Sequence, residues 1–393
     1  MSRRTTPTSS RRRQSAAIRQ PPSRSGGILA FVAAVVLLLV VALTGTGGQG
    51  DQGAATPTPV LEPGTWWQLY FTEPVNSNNA ALFVNGIDRY VVEAINAAQQ
   101  TIDIAAFEFN LPSLTEALRR AAQERHVRVR IVTDDEHGLQ DEDSTLGQLV
   151  SVGIPVVGDG RRALMHDKFI LIDGRQVWTG SWNLTINDTF RNNNNLIAIR
   201  SPELAAIYTR EFEEMFTGRQ FGPTSPSFRD PAEQQVTIND TPIQVYFGPE
   251  DAVADKIAAQ IGDARTNVRF MAFSFTHDTI GDAVLRQARA GLDVAGIFEK
   301  RGSTDEYSEL VPLFCAQLPV RQDGNPRTFH HKVFILDNAT VILGSFNFSA
   351  SADRDNDENA LIIRNAEIAA RFQSEFDRRW AQGVVPEGVV CSN

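Results

Sequence analysis

Two histidines, His166 and His330, each open the pattern H-x-K, four residues, Asp, six residues, G-S-x-N. The first copy supplies His166, Lys168, Asp173, Gly180, Ser181 and Asn183. The second supplies His330, Lys332, Asp337, Gly344, Ser345 and Asn347. An imidazole, an ammonium and an amide that converge on one face form an anion pocket. Lysine brings a point charge and asparagine a donor, both suited to phosphate oxygens, and the serine adds a hydroxyl. One copy offers one histidine, whereas displacement at a phosphodiester calls for two groups: a nucleophile for phosphorus and an acid for the leaving oxygen. If the copies face each other across an internal twofold axis, both histidines flank one phosphate. Neither copy alone is then a complete site.

The repeat extends beyond the motif. An offset of 164 residues carries His166 onto His330, Asn183 onto Asn347, Asn195 onto Asn359 and Phe212 onto Phe376, with no insertion between them. A register kept over some fifty residues is a duplication signal. The two halves run over 65–222 and 236–388, joined by a linker at 223–235.

The elements that must position these residues follow from pattern. TIDIAAFEF (101–109) and VRVRIVTDD (127–135) read as strands. Ser113 with Glu116 three later reads as a capping box opening a helix. FILIDG and QVWTGS read as buried strands joined by a tight turn at Asp173-Gly174, and PELAAIYTREFEEMF as an amphipathic helix with Pro202 at its start. The second half repeats the series. The expected class is α/β, strands alternating with helices over a sheet covered on both faces. Asp173 and Asp337 are expected to serve the turn and the charge balance around it. Asn192–Asn195 reads as a turn before a strand. Phe107, Phe109, Phe273 and Phe275 read as core, with a pocket wall as the lesser alternative. His126 suits a helix C-terminus, His137 and His277 lie near the expected site, and His331 fills the variable middle position where the first copy has Asp167.

With both motifs in phase over 65–388, the chain resembles the phospholipase D superfamily. The resemblance implies two tandem α-β-α sandwich repeats packed as a pseudo-twofold dimer within one chain. It also implies a covalent phosphohistidine on one motif histidine, with the other as general acid and then base, and neither a metal nor another cofactor. It adds Glu358, in DNDENALII, as the residue that orients a motif histidine through Nδ1; the first half has Asn194 at this position. Sequence proximity makes His330 the better-backed imidazole, because a carboxylate fixes the tautomer and stabilises the cation. Characterised phospholipases of the family use the first motif's histidine as nucleophile. The two indications point opposite ways, and the sequence assigns neither role.

Charge and hydropathy bound the setting. Residues 1–27 hold seven arginines and no Asp, Glu or Lys, leaving 30 basic against 47 acidic residues in the remainder, a net −17. Residues 28–44 are an unbroken apolar run, about 26 Å long as a helix, close to a bilayer's hydrocarbon thickness. The arginines before it place the N-terminus in the cytoplasm. The expectation is a basic tail (1–27), a single-pass transmembrane signal anchor (28–44), a Gly/Thr/Pro-rich stalk (45–64) and an extracytoplasmic body, secreted if the anchor is cleaved. Cys315 and Cys391 form a disulfide in that compartment or remain two buried thiols. Trp66 and Trp67 touch a membrane interface or pack under the body.

Three functions compete. The first is a phosphodiesterase that hydrolyses or transphosphatidylates phospholipids at a membrane surface, as a monomer with its internal pseudo-dimer. The second is an extracytoplasmic nuclease. GSFNFS…DENALII resembles nuclease members of the family more than its cardiolipin synthases, whereas the acidic body opposes a nuclease, because nucleic-acid binding relies on Lys and Arg contacts to phosphates. Arg161, Arg162, Lys300, Arg301, Arg321 and Arg327 lie near the motifs and would have to make a local basic groove. The third, a non-catalytic binding module, ranks last because both motifs are intact.

Overall fold

The computed structural model describes residues 65–228 and 230–391. The basic tail, the apolar run 28–44 and the stalk lie outside these residues. No helix among the described residues is long and apolar enough to cross a membrane.

The chain forms two mixed sheets built to one plan. The first comprises β1 (Trp67–Phe71), β2 (Thr101–Ala106), β3 (Arg128–Thr133), β4 (Val156–Gly158), β5 (Lys168–Ile172), β6 (Gln176–Gly180) and β7 (Asn195–Arg200), in the order β1-β7-β6-β5-β2-β3-β4. The second comprises β8 (Gln235–Ile238), β9 (Thr241–Gly248), β10 (Asn267–Ala272), β11 (Asp293–Phe298), β12 (Val320–Gln322), β13 (Lys332–Leu336), β14 (Thr340–Gly344) and β15 (Glu358–Arg364). Its order is β8-β9-β15-β14-β13-β10-β11-β12, the same arrangement with β8 added at one edge. In each sheet the three strands at one end are parallel and the rest antiparallel.

Helices α1 (Asp88–Ala97), α2 (Pro112–Gln123) and α3 (Leu146–Ser151) belong to the first half. So do α4 (Ile186–Phe190) and α5 (Pro202–Phe216). The second half has α6 (Val253–Asp263), α7 (Asp278–Arg289), α8 (Leu310–Cys315), α9 (Ala350–Arg354) and α10 (Ala366–Gln382). Serine and asparagine caps start the two long helices. Ser201 accepts from the amide of Leu204 at 3.1 Å, and Asn365 from those of Glu367 and Ile368, both at 3.0 Å. These bonds satisfy amides that have no partner inside a helix. The expected capping box of α2 does not form. Leu111 is its N-cap, Pro112 leads it, and the Ser113 hydroxyl donates instead to Asp88 at the start of α1.

Burial on both faces explains the near-continuous apolar runs of the motif strands. In β5, Phe169 and Leu171 join a central core that includes α5, α10 and the facing strands of both halves. Ile170 and Ile172 point the other way, into the core under α1 and α2. The second half has a matching outer core around α6 and α7. Each half also reaches across to the other. Met165 pairs with Asp357, and Asn193 with Phe329, in two single β-bridges that place the residue before each motif histidine against the opposite half. Cys315 and Cys391 form a disulfide that ties the end of α8 to the C-terminal segment.

Candidate active site

The turn after β5 is set by Asp173 and Gly174, both with positive φ (52° and 59°), the geometry of a type I′ hairpin. The Asp173 carboxylate then accepts from the amides of Gln99, Gln100 and Thr101 at 2.7–3.0 Å. Asp337 does the same for Arg265 and Thr266 at 2.9 and 2.7 Å. These aspartates lock the far end of each motif hairpin to the segment entering the neighbouring strand and lie at the end of the hairpin away from the histidines.

At the near end, β2 and β5 are paired with Ala106 opposite Lys168, and β10 and β13 with Ala272 opposite Lys332. The chain leaves β2 at Ala106, short of the expected strand end at residue 109. Phe107 therefore turns into the site, and Phe273 does so in the second half. Each ring sits 4.8 Å from its own motif histidine, at 64° and 72°. Each also lies under the lysine ammonium, 5.0 Å from Lys168 Nζ and 4.8 Å from Lys332 Nζ. These two phenylalanines are walls of the site, whereas Phe109 and Phe275 are core. Pattern alone could not separate them, since all four follow a strand at alternating positions.

The backing of the histidines is crossed. Nδ1 of His166 lies 2.8 Å from Oε2 of Glu358, which belongs to the other half. The same oxygen accepts from Ser345 Oγ at 2.7 Å. Nδ1 of His330 lies 2.9 Å from Oδ1 of Asn194, which accepts from Ser181 Oγ at 2.8 Å while its amide nitrogen donates to the Asp188 carbonyl. The Asp188 carboxylate is 3.5 Å from the His330 ring. The expectation that Glu358 backs His330, its neighbour in sequence, is therefore corrected. The bridges at Met165 and Asn193 carry each histidine across to the last strand of the opposite half. Ser181 and Ser345 hold the backing groups and do not line an anion pocket.

Burial governs the electrostatics. It holds both histidines well below their ordinary 6.5, with Lys168 and Lys332 adding to the effect. In the neutral form of each ring, an Nδ1–H directed at Glu358 or Asn194 leaves Nε2 with the lone pair. Burial brings the Lys168 ammonium down to about 8 and Lys332 well below its usual value, and it raises Glu358 to about 8. Each ammonium donates to the carbonyl of its own motif histidine, at 2.7 and 3.1 Å. Oδ1 of Asn183 and Oδ1 of Asn347 are buried with no hydrogen-bond partner among the described residues.

Asn195 and Asn359 serve the interface. Asn359 donates to Asp167 at 2.7 Å and accepts from Thr179 and Tyr208; Asn195 faces Nδ1 of His331 at 3.0 Å. The middle residues of the two motifs are thus fully buried contacts between the halves. Gly180 and Gly344 have φ of 154° and 149°, and a Cβ there would fall 2.4 and 2.2 Å from the carbonyls of Asn195 and Asn359. The close approach that requires glycine is to these strands. His137 packs on Phe107 and hydrogen-bonds Asp134, and His277 lies 3.5 Å from Asp353. A cavity of about 1050 Å³ runs along β1 and α1 beside Trp66 and Trp67 and not between the motif histidines.

Residues 91–216 and 257–380 each match the family described as "cardiolipin synthase, PLD-like domain". The chain belongs to the phospholipase D superfamily. It is a phosphodiester-hydrolysing enzyme of that type. It is 31% identical over 140 residues to a phospholipase D of Rickettsia bellii, covering 36% of this chain and 70% of the relative. It is 34% identical over 131 residues to the mitochondrial cardiolipin hydrolase of Xenopus tropicalis, covering 33% of this chain and 60% of that protein. Phosphatidylserine synthase of Haemophilus influenzae shares the fold at 16% identity, with a TM-score of 0.59 over 80% of this chain and 86% of that one.

Proposed function

We propose that this superfamily member hydrolyses phospholipids, or transfers their phosphatidyl group, through a phosphohistidine on His166. The observation that carries the reading is the crossed pairing, a carboxylate behind His166 and an amide behind His330. Nε2 of His166 attacks phosphorus. The bond from phosphorus to the head-group oxygen breaks, and His330 gives that oxygen its proton. The positive charge that forms on His166, 2.8 Å from Glu358, opposes the burial that raises that carboxyl to about 8, so Glu358 ionises as the imidazolium develops and stabilises it. His330 then takes a proton from water or an alcohol, the new oxygen bonds to phosphorus, and the P–N bond breaks. Lys168, Lys332, Asn183 and Asn347 balance the charge on the phosphoryl oxygens throughout.

A lipid substrate is supported over a nucleic acid by the state of the neighbouring cations. Arg161 pairs with Asp357 and Asp159, Arg301 with Glu299, Arg321 binds the Trp380 carbonyl, and Arg327 binds Asn78. Four of the six cations expected to form a basic groove are thus engaged within the protein. The test uses the full chain with phosphatidylcholine vesicles and, separately, a labelled oligonucleotide at low salt. Choline release without cleavage of the oligonucleotide is expected. The reverse result replaces this reading with the nuclease.

A further inference from the structure

The exposed apolar side chains are unevenly placed. Among the described residues eight large ones stand open to solvent, and six are Leu82, Val84, Leu139, Tyr307, Val384 and Val385. All six leave the sheets at the end where the motif histidines lie. Phe71, the last residue of β1, is opposite Asn195, the first of β7, so the segment carrying Leu82 and Val84 starts beside the site. That segment stays there, with Val75 bonded to Phe190 and Asn78 to Arg327. Leu139 follows β3, whose end runs parallel to that of β2 at Phe107. Tyr307 follows β11, and the Glu299 carboxylate just after that strand accepts from the amide of Phe329, next to His330. Val384 pairs with Gln322, the last residue of β12. Only Val150 and Val390 fall elsewhere.

Isolated exposed apolar residues are ordinary. Six drawn from four separate segments at one end of the two sheets mark that end as an interaction surface. Their exposures reach 63% at Val84, 74% at Tyr307 and 63% at Val385. The charge around them is also one-sided. The segments 72–87, 134–145, 299–309 and 383–385 hold eleven acids against two bases, and eight of the acids lie outside the buried set. Such a rim repels anionic lipid, because attraction to an anionic leaflet depends on Lys and Arg. With two bases it is also poorly matched to a polyanionic partner.

We propose that this rim is an interfacial docking surface for a zwitterionic lipid bilayer, with the side chains of the four segments entering the head-group layer and the two histidines facing it. The inference rests on the lipid reading of the site and extends it, by naming how a substrate that sits in a bilayer reaches buried histidines.

The experiment has two arms, both on the full chain. In the first, Val84→Asn/Tyr307→Asn/Val385→Asn is compared with the parent on phosphatidylcholine vesicles and on a short-chain phosphatidylcholine kept monomeric. Turnover on vesicles is expected to fall at least fivefold and turnover on the monomer less than twofold. Equal change on both substrates overturns the docking surface. In the second, Tyr307→Trp is mixed with vesicles of brominated phosphatidylcholine, and its fluorescence is corrected for the parent's five tryptophans. Quenching at position 307 is expected, and weaker quenching when anionic lipid is added. No quenching overturns the surface. A parent that turns over neither lipid while position 307 is quenched removes the catalytic reading and leaves the docking surface standing.

Discussion

Glu358 and His166, 192 residues apart and on opposite halves of the chain, meet at 2.8 Å, both almost wholly buried. The pairing makes the two chemically similar histidines unequal. Its consequence is that Glu358→Gln lowers kcat by about 10²–10⁴-fold, the range of positioned acid–base groups. Asn194→Asp, behind His330, changes kcat by less than about tenfold. In His330→Asn, a labelled phosphoryl group is expected to accumulate on His166. Label recovered on His330 in the reciprocal His166→Asn variant reverses the roles.

Much of this was legible in the sequence. The 164-residue offset gave the duplication, because an unshifted register preserves strand, turn and helix together. The turn role of Asp173 and Asp337 followed from their place between two apolar runs. The partner of Glu358 was not legible. Sequence distance favoured His330, 28 residues upstream, while the bridges from Met165 to Asp357 and from Asn193 to Phe329 exchange the partners. The roles of Phe107 and Phe273 were hidden for a related reason. Where a strand ends depends on its pairing, and residue 107 falls just past the last pair of β2.

The histidines set the pH response. The free enzyme needs His166 neutral and His330 protonated, and burial with Lys168 and Lys332 lowers both below 6.5. A lowered His166 stays neutral into mildly acidic solution. A lowered His330 loses its proton early as pH rises, and Lys168 loses its charge near pH 8. The profile of kcat/KM, which reports the free enzyme, is therefore expected to peak below pH 6.5 and to fall on the alkaline side. A peak above pH 8 contradicts the assignment of His330 as the acid.

Reduction of the Cys315–Cys391 disulfide tests the C-terminal segment. The bond closes a loop across 76 residues, and a loop of this size is worth about 4 kcal/mol in the chain-entropy account. Cys391→Ser is expected to lower Tm by several degrees, read by calorimetry under non-reducing conditions. It leaves kcat on a monomeric substrate unchanged, since neither cysteine approaches the motif residues. An unchanged Tm shows that the C-terminal segment contributes nothing to the stability of the second half.

The two halves differ most behind their motif hairpins. In the second half, His331 and Arg379 bond to Glu375, and against the effect of burial they bring that carboxyl down to about 2. The corresponding residues of the first half are Asp167 and Glu211, and with Glu250 and Asp357 they form an acidic cluster. Burial raises Asp167 to about 7, Asp357 to about 8, Glu250 to about 9 and Glu211 well above its usual value. Arg161 is the cation paired with Asp357, while Oδ2 of Asp167 and Oε2 of both Glu211 and Glu250 have no partner. In the folded state these carboxyls hold protons that the unfolded chain has released above about pH 4. Stability changes with pH in proportion to the protons bound unfolded minus those bound folded. That difference is negative between about pH 4 and the raised values, so stability is greatest near the acid end of the window and falls as pH rises through 7–9. Glu250→Gln removes one of these protons without removing its volume. It is expected to raise Tm at pH 8 by about 2 °C or more and to leave Tm at pH 5 nearly unchanged. An equal shift at both pH values would mean that the carboxyl is ionised in the folded protein.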